Sequence, residues 1–359
     1  MKMIRIGPGG IRAQQGQNHQ IHTEMNQEDY LPSFSHPLDA IVLAGMHRDS
    51  TRTLKGQNKA FLVLDDRPLL RHVLDALLGA QSIRDIFVVG PVEQMSKALQ
   101  SVPAKVHLVQ QEGNMLANCW AGARASEEWQ ATDGKEDPLM RPYLLISSDL
   151  PLISSISVDD YVARCAAEDQ ASDEPYGLMV GVADEAGLTP FYPDGEKPGI
   201  IRPLVELEFA RVRLANIYVV RPRQLAHEEF LQTGFSHRKA VDWRNVVTLV
   251  FRVLSQKGGW HAAWLGLRLQ VTLLAARRGG RLYRWLRRGN TREKIEACTS
   301  TIIGGRLRFV TTPFGGLSLD VDDEEDFEVL STRYHDWMAI HEAVRSEYAL
   351  THTADESRT

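Results

Sequence analysis

Short apolar runs alternate with segments of helical period along this chain, and that order restricts its fold more than any other property. Ala40-Ile41-Val42-Leu43-Ala44, bounded by Pro37 and Gly45, has no polar side, the pattern of a strand buried on both faces. From Leu69 onward, Leu70, Val73, Leu74 and Leu77 recur at helical spacing. Ile83–Gly90 reads as a second buried strand, 92–100 as a brief helix and 106–109 as a third, short strand. A further helix opens at Gly113-Asn114 and continues through Trp120 and Ala123, with Asn114 read as its N-cap. Tyr143-Leu144-Leu145-Ile146 is a central strand, and 176–182 and 211–220 read as two more. This alternation predicts an α/β fold, a doubly wound and mostly parallel sheet flanked by helices.

Three stretches carry chemistry. After the first strand comes a polar loop, Met46 to Asn58, rich in Arg, Lys, Ser and Thr; Lys59-Ala60-Phe61-Leu62-Val63-Leu64 then leads to a turn at Asp65-Asp66-Arg67-Pro68. A buried strand emptying into a basic, glycine-started loop gathers backbone N–H groups and cations at one cavity, which suits a polyphosphate. The strand at Tyr143 ends on Ser147-Ser148-Asp149-Leu150-Pro151. Ligands of open α/β sheets bind outside the carboxyl ends of the strands, so Asp149 is placed to hold Mg²⁺ on a triphosphate. By itself, Asp149 reads better as a cap for the helix after Ser154; paired with the first stretch at this separation, the metal reading is preferred. The third stretch, Gly316 to Phe327, contains Asp320, Asp322, Asp323, Glu324, Glu325 and Asp326, of which Glu325 and Asp326 read as structural acids in a first helical turn.

Leu43-Ala44-Gly45, the basic loop, Lys59-Ala60-Phe61-Leu62 and Arg67-Pro68-Leu69-Leu70 together resemble the opening of the nucleotidyltransferase superfamily. That superfamily includes the molybdenum-cofactor guanylyltransferase-like NTP transferases and the sugar-phosphate nucleotidylyltransferases. The chain departs from the pattern at Met46, which replaces a second glycine, in a longer loop, and at Asp66, which stands at the turn glycine. The resemblance implies a single Rossmann-like domain of GT-A type. It also implies transfer of an NMP from an NTP to a phosphorylated small-molecule acceptor, with release of pyrophosphate and dependence on Mg²⁺ or Mn²⁺. Carried over residue by residue, it places Leu43, Ala44, Gly45, Arg48, Arg52, Lys59 and Asn118 at the nucleotide. Lys59 would grip the α-phosphate and Arg48 or Arg52 would neutralise the β- and γ-phosphates. Asp149 matches the metal-binding Asp; the stretch from Gly316 to Phe327 resembles the closing motif that ends a strand and starts a helix, in which Asp320 or Asp322 is the second metal carboxylate, with Asp320 preferred. Lys59 and Asp149 are the catalytic pair, and Asn216, preceded by Ala215 in place of a glycine, matches an acceptor-pocket position. Two other readings of the same residues are a GT-A glycosyltransferase using a nucleotide-sugar and a non-catalytic nucleotide-binding protein with a degenerate loop.

The expected organisation is a disordered leader over 1–36, an α/β core over 37–235, a basic helical insertion over 236–298, final strands and a helix over 299–348, and a disordered tail over 349–359. The acidic, proline-rich loop from Asp184 to Pro203 is expected to hang over the pocket. In the insertion, Arg268 to Lys294 holds nine Arg or Lys against one acid, Glu293. That excess reads as a solvated basic face, with an anionic acceptor or peripheral contact with anionic lipid as sharper alternatives. A net charge of -5 argues against nucleic acid as partner. Cys119, Cys165 and Cys298 lack metal-ligand spacing and read as reduced thiols. The most apolar window, Trp260 to Ala276, contains His261, Arg268 and Gln270 and is shorter than the ~20 residues of a transmembrane helix, and no secretory signal is visible. The expectation is a soluble, cytoplasmic protein.

Overall fold

Leu38–Leu43 (β1) takes the centre of the sheet because it has no face that water could solvate: Ala40, Ile41 and Val42 are all fully buried. The computed structural model describes residues 32–45, 54, 56–130, 137–226, 259–276 and 278–356. Arg48, Arg52, most of the leader and residues 236–258 of the insertion therefore lie outside the described residues.

After β1, Val63–Leu64 (β2) and Arg67–Pro68 (β3) form a small hairpin, followed by Leu69–Gly79 (α1), Ile83–Gly90 (β4), Val92–Leu99 (α2), Val106–Gln110 (β5) and Met115–Gln130 (α3). Tyr143–Ser147 (β6), Ser155–Gln170 (α4), Leu178–Asp184 (β7), Glu185–Leu188 (α5), Val205–Glu206 (β8) and Arg211–Val220 (β9) come next. The described part closes with Gly259–Ala276 (α6), Gly280–Arg288 (α7), Arg292–Ile303 (α8), Leu307–Thr312 (β10) and Glu324–Glu356 (α9).

The eight-stranded sheet runs β10-β7-β9-β6-β1-β4-β5, with β8 paired to β9. β1 is parallel to β4 and β6, β4 to β5, and β10 to β7, while β9 runs antiparallel to β6, β7 and β8. The sheet is thus mixed and mostly parallel, as the sequence pattern predicts. Because the chain winds from β1 to β4 and β5 on one side and returns to β6 on the other, the loops after β1 and β6 leave the same end side by side.

Helices cover both faces. Val42, Val88, Ile146 and Ile217 pack under Leu70, Val73, Leu74 and Leu77 of α1 and Tyr161 of α4. On the other face Ile41, Val89 and Tyr143 meet Ala121 and Ala123 of α3. A third layer forms where α9 lays Leu330, Tyr334 and Trp337 on Leu62, Leu69, Phe191, Leu319 and Val321.

Three expectations need correction. Strand character does not resume at Thr299: residues through Ile303 belong to α8, and β10 begins at Leu307. The β-branched run is tolerated because Ser300 and Thr301 donate their hydroxyls to the Glu296 and Ala297 carbonyls, and Gly304, at φ 64, ends the helix. The acidic segment at Asp320 does not end a strand either, since a short 3₁₀ turn, Gly315–Ser318, separates it from β10. Finally, α9 continues to Glu356, past Tyr348; no Gly or Pro between Glu324 and Glu356 interrupts it.

The β2–β3 hairpin turns on two residues, Asp65 at φ 50 and Asp66 at φ 60. Two consecutive left-handed residues are the requirement of a type I′ turn, whose favoured second residue is glycine. Asp66→Gly is therefore expected to raise stability by about 0.5–1 kcal/mol, read as a higher urea midpoint with an unchanged slope. Behind the hairpin, buried His72 places Nε2 2.8 Å from the Leu64 carbonyl and Nδ1 2.9 Å from the Tyr334 hydroxyl. The carbonyl can only accept, so Nε2 carries the proton and Nδ1 accepts from Tyr334. Burial lowers the His72 pKa below its usual 6.5, aided by Arg67 and opposed by the Leu64 bond and by Asp65 and Asp75. The unfolded chain thus takes up a proton near pH 6.5 that the folded chain refuses. This stability is complete above pH 6.5 and is lost as pH falls below it. Urea unfolding at pH 7.5 and 5.5 should show that loss, and His72→Gln should reduce it.

Candidate active site

Asn58 anchors the segment that carries Lys59. Its Nδ2 donates to the Ala44 carbonyl at the end of β1 (2.9 Å), and its Oδ1 accepts from the Ala60 N–H (3.1 Å). This caps the single 3₁₀ turn Lys59–Phe61 and directs it across the end of the sheet. The Lys59 ammonium donates to the Val321 carbonyl and lies 3.8 Å from Asp149 and 3.7 Å from Asp322. Asp149, two residues past β6, accepts from the Ser147 hydroxyl, and its main-chain carbonyl accepts from the Val321 N–H at 3.1 Å. The three charged groups are 14–31 % exposed, low enough for their fields to act at reduced dielectric and high enough for a ligand to reach them.

The acidic segment is held from behind by two arginines. Arg202 donates to the Asp320 carbonyl (3.0 Å) and to the Asp326 carboxylate, and lies 3.8 Å from Asp322. Arg213 donates to the Ser318 carbonyl (2.9 Å) and stands 3.6 Å from Asp320 Oδ1, a buried oxygen without a hydrogen bond. Asp326 accepts from the N–H groups of Asp322 (2.9 Å) and Asp323 (3.3 Å), while its own N–H donates to Asp323 Oδ1 (2.9 Å). That reciprocal pair caps α9 and gives Asp326 the structural part expected of it. Of the two candidate second carboxylates, Asp322 shares Lys59 with Asp149, whereas the preferred Asp320 is turned to Arg213. Among the described residues no cluster of three or more His, Cys, Asp or Glu side chains is gathered for a metal ion.

Leu43 and Ala44 end β1 against its neighbours: Ala44 N–H donates to Val89 O (2.9 Å), and Ser148 N–H donates to Leu43 O (3.2 Å). Gly45 follows, and a Cβ there would fall 2.7 Å from Asn118 Nδ2 and 3.0 Å from Gln111 Oε1. Asn114 caps α3 by accepting from Ala117 N–H (2.8 Å), and Asn118, one turn on and buried, accepts from Glu112 N–H (2.7 Å). The two asparagines thus divide the work: one caps the helix, and the other walls the glycine. Asn216 lies buried on β9, beside Ile217, which pairs with Ile146 of β6. Its neighbour Ala215 is accommodated by Gly181 on β7, where a Cβ would come within 3.1 Å of the Ala215 methyl. An open cavity of about 520 Å³, lined by Gln57, Asn58, Phe61, Gln94 and Lys97 among others, adjoins the Lys59 turn.

The sequence reading missed Asn58, Ser147, Arg202 and Arg213. Asn58 had a signal, a capping residue directly before the lysine. Ser147 is two residues from Asp149, but Arg202 and Arg213 reach Asp320 across more than a hundred residues, a pairing no local pattern encodes.

Residues 40–194 match the family described as the MobA-like NTP transferase domain, which assigns that part of the chain to the nucleotidyltransferase superfamily. Among solved structures, the chain resembles one titled as a hypothetical transferase from Thermus thermophilus, at 20% identity and a TM-score of 0.53, over 80% of this chain and 98% of that one. That likeness shows the fold. A CMP:2-keto-3-deoxy-manno-octonic acid synthetase complexed with CTP (13% identity, TM-score 0.39, 83% and 99% covered) is more distant. So is the 4-diphosphocytidyl-2C-methyl-D-erythritol synthase of Anaerococcus prevotii (8%, 0.41, 84% and 96%), and neither carries weight here. No curated protein matches the chain.

Gly45→Ala should displace Asn118 and lower stability by about 1–3 kcal/mol through the Glu112 N–H it leaves unbonded. In a double-mutant cycle of urea midpoints, Asn118→Ala should make the Gly45→Ala cost smaller, because the closer of the two contacts is then gone and only the Gln111 side chain at 3.0 Å has to give.

Proposed function

We propose that the protein is a nucleotidyltransferase: it transfers an NMP from an NTP to a phosphorylated small-molecule acceptor and releases pyrophosphate. The observation that carries this reading is one ammonium, Lys59, shared by two carboxylates, Asp149 and Asp322, at the end of the sheet where Gly45 begins the loop. An acceptor phosphate oxygen attacks the α-phosphorus, the bond from that phosphorus to the bridging oxygen breaks, and its electrons leave with pyrophosphate. The acceptor is already a nucleophile, so the protein's task is to bring two anions together and to stabilise the charge that develops.

The residues fit a divalent cation. Asp149 and Asp322 already hold a positive group between them at 3.7–3.8 Å, longer than close ion pairs, and both are partly open to solvent. They are the pair we assign to Mg²⁺ or Mn²⁺, with Asp320 behind them bracing the segment through Arg213. A bound cation of this kind neutralises phosphate oxygens and draws charge off the leaving group. Lys59 then turns to the α-phosphate, on a turn whose place is kept by Asn58 and Ala44. Gly45, with Leu43 and Ala44, lets the backbone approach the nucleotide, and Asn118 stands beside it. Arg48 and Arg52 are assigned to the β- and γ-phosphates, and Asn216 to the acceptor side. We assign the catalytic core to 37–235 completed by β10 and α9, and the insertion to 236–303, because α8 runs unbroken through Ile303. The three free thiols and the NTP substrate fit a cytoplasmic setting.

The test is pyrophosphate release from each NTP with Mg²⁺ against a panel of phosphorylated acceptors. Release is expected for one pairing, with Lys59→Ala and Asp149→Ala each lowering the rate by about 10³-fold. Asp322→Asn is expected to cost more than Asp320→Asn. Near-normal turnover by Lys59→Ala would remove the assignment, and NTP binding with no release across the panel would favour a non-catalytic binder.

A further inference from the structure

We infer that the α6–α7 hairpin is a docking surface for a bilayer carrying anionic headgroups. Helix α6 is apolar on two opposite sides. Leu265 and Leu269 pack inward on Val182, Leu207, Val212 and Ile295, with Thr272 buried on the same stripe. Trp264, Leu267, Val271 and Leu274 recur at spacings of three, four and three residues, the period of a single helical stripe, and all four are exposed. A surface helix with a satisfied inner stripe has no need of this outer one.

Helix α7 continues the same surface. Its Leu286 is buried, Tyr283 donates to Glu206 and Arg287 to the Leu207 carbonyl, so these three residues face the core. Leu282 and Trp285 are more than half exposed, and Arg281, Arg284 and Arg288 are exposed around them. Trp285 is held in place from below: the Arg268 guanidinium lies 5.6 Å from its ring and is itself bonded to Asn290 and the Leu286 carbonyl. From Gly259 to Thr291 the chain has seven arginines and no Asp or Glu, within a protein of net charge -5.

Bulky apolar side chains among arginines fit the boundary between headgroups and acyl chains, where Trp and Leu enter and guanidinium groups meet phosphate. A second copy seated on the same face would set arginines against arginines. Nucleic acid would satisfy the charge but leave the Leu stripe wet. Among the described residues no helix is long and apolar enough to cross the membrane, so the contact is with its surface.

The full chain would be sedimented with vesicles of phosphatidylcholine alone and with about a third phosphatidylglycerol. Binding is expected only to the anionic vesicles, weakening as salt rises. The triple variant Arg281→Ser, Arg284→Ser, Arg288→Ser should lower partitioning about a hundredfold, roughly fivefold per arginine. Brominated acyl chains should quench tryptophan fluorescence in the parent and much less in Trp264→Phe/Trp285→Phe, which keeps its binding. All these side chains are exposed, and an unchanged circular dichroism melt checks that each variant folds. Equal binding to neutral vesicles, full binding by the arginine variant, or unquenched tryptophans would overturn the inference. So would a concentration-dependent dimer, or an oligonucleotide that binds in place of vesicles. Pyrophosphate release in solution is a separate readout, so this outcome is independent of the nucleotidyl-transfer reading.

Discussion

One ammonium group ties together three stretches that are far apart in the chain. Lys59 reaches the carboxylate that follows β6, the carboxylate that precedes α9 and the carbonyl between them, and Asn58 pins its own turn to the end of β1. At 3.7–3.8 Å and an effective dielectric near 20, each pairing is worth about 4 kcal/mol gross, much of it offset by desolvation. The net energy matters less than the geometry it imposes. Asp149 and Asp322 are like charges facing one space, and the Lys59 ammonium between them offsets their repulsion.

The sheet supplies the platform. With β1 buried on both faces, its end is fixed against β4 and β6, so the loops after β1 and β6 emerge at a defined separation. Gly122 of α3 lies directly on Ile41, and that close approach of helix to sheet brings Asn118 to Gly45. Two arginines, Arg213 on β9 and Arg202 from the segment before β8, then hold the acidic segment in place. They supply positive charge to a segment whose six acids between Asp320 and Asp326 would otherwise repel one another.

The stretch from α6 through α7 shows how an overall balance of charge conceals a local one. A net charge of -5 is compatible with a 33-residue stretch that contains no acid, because the compensating acids sit in other elements. Its first helix is apolar on two sides, and only the packing of Leu265 and Leu269 identifies which of them the protein itself covers.

Much was determined by the sequence alone: the α/β class, the positions of most strands and helices, and the two stretches that bring Asp149 and Asp320-Asp322 to the end of the sheet. These are read from local periodicity and from the order of elements, which depend on neighbours in the chain. The boundary errors arose where side chains satisfied the backbone unexpectedly, as Ser300 and Thr301 do in the last turns of α8. Only the tertiary structure decided that Asp322 rather than Asp320 shares Lys59, that Asn118 walls Gly45 while Asn114 caps α3, and that Arg202 and Arg213 stand behind the acids. Alternate residues of one extended segment look alike in sequence. What distinguishes them is the charge each meets across the fold, and those charges come from residues more than a hundred positions away.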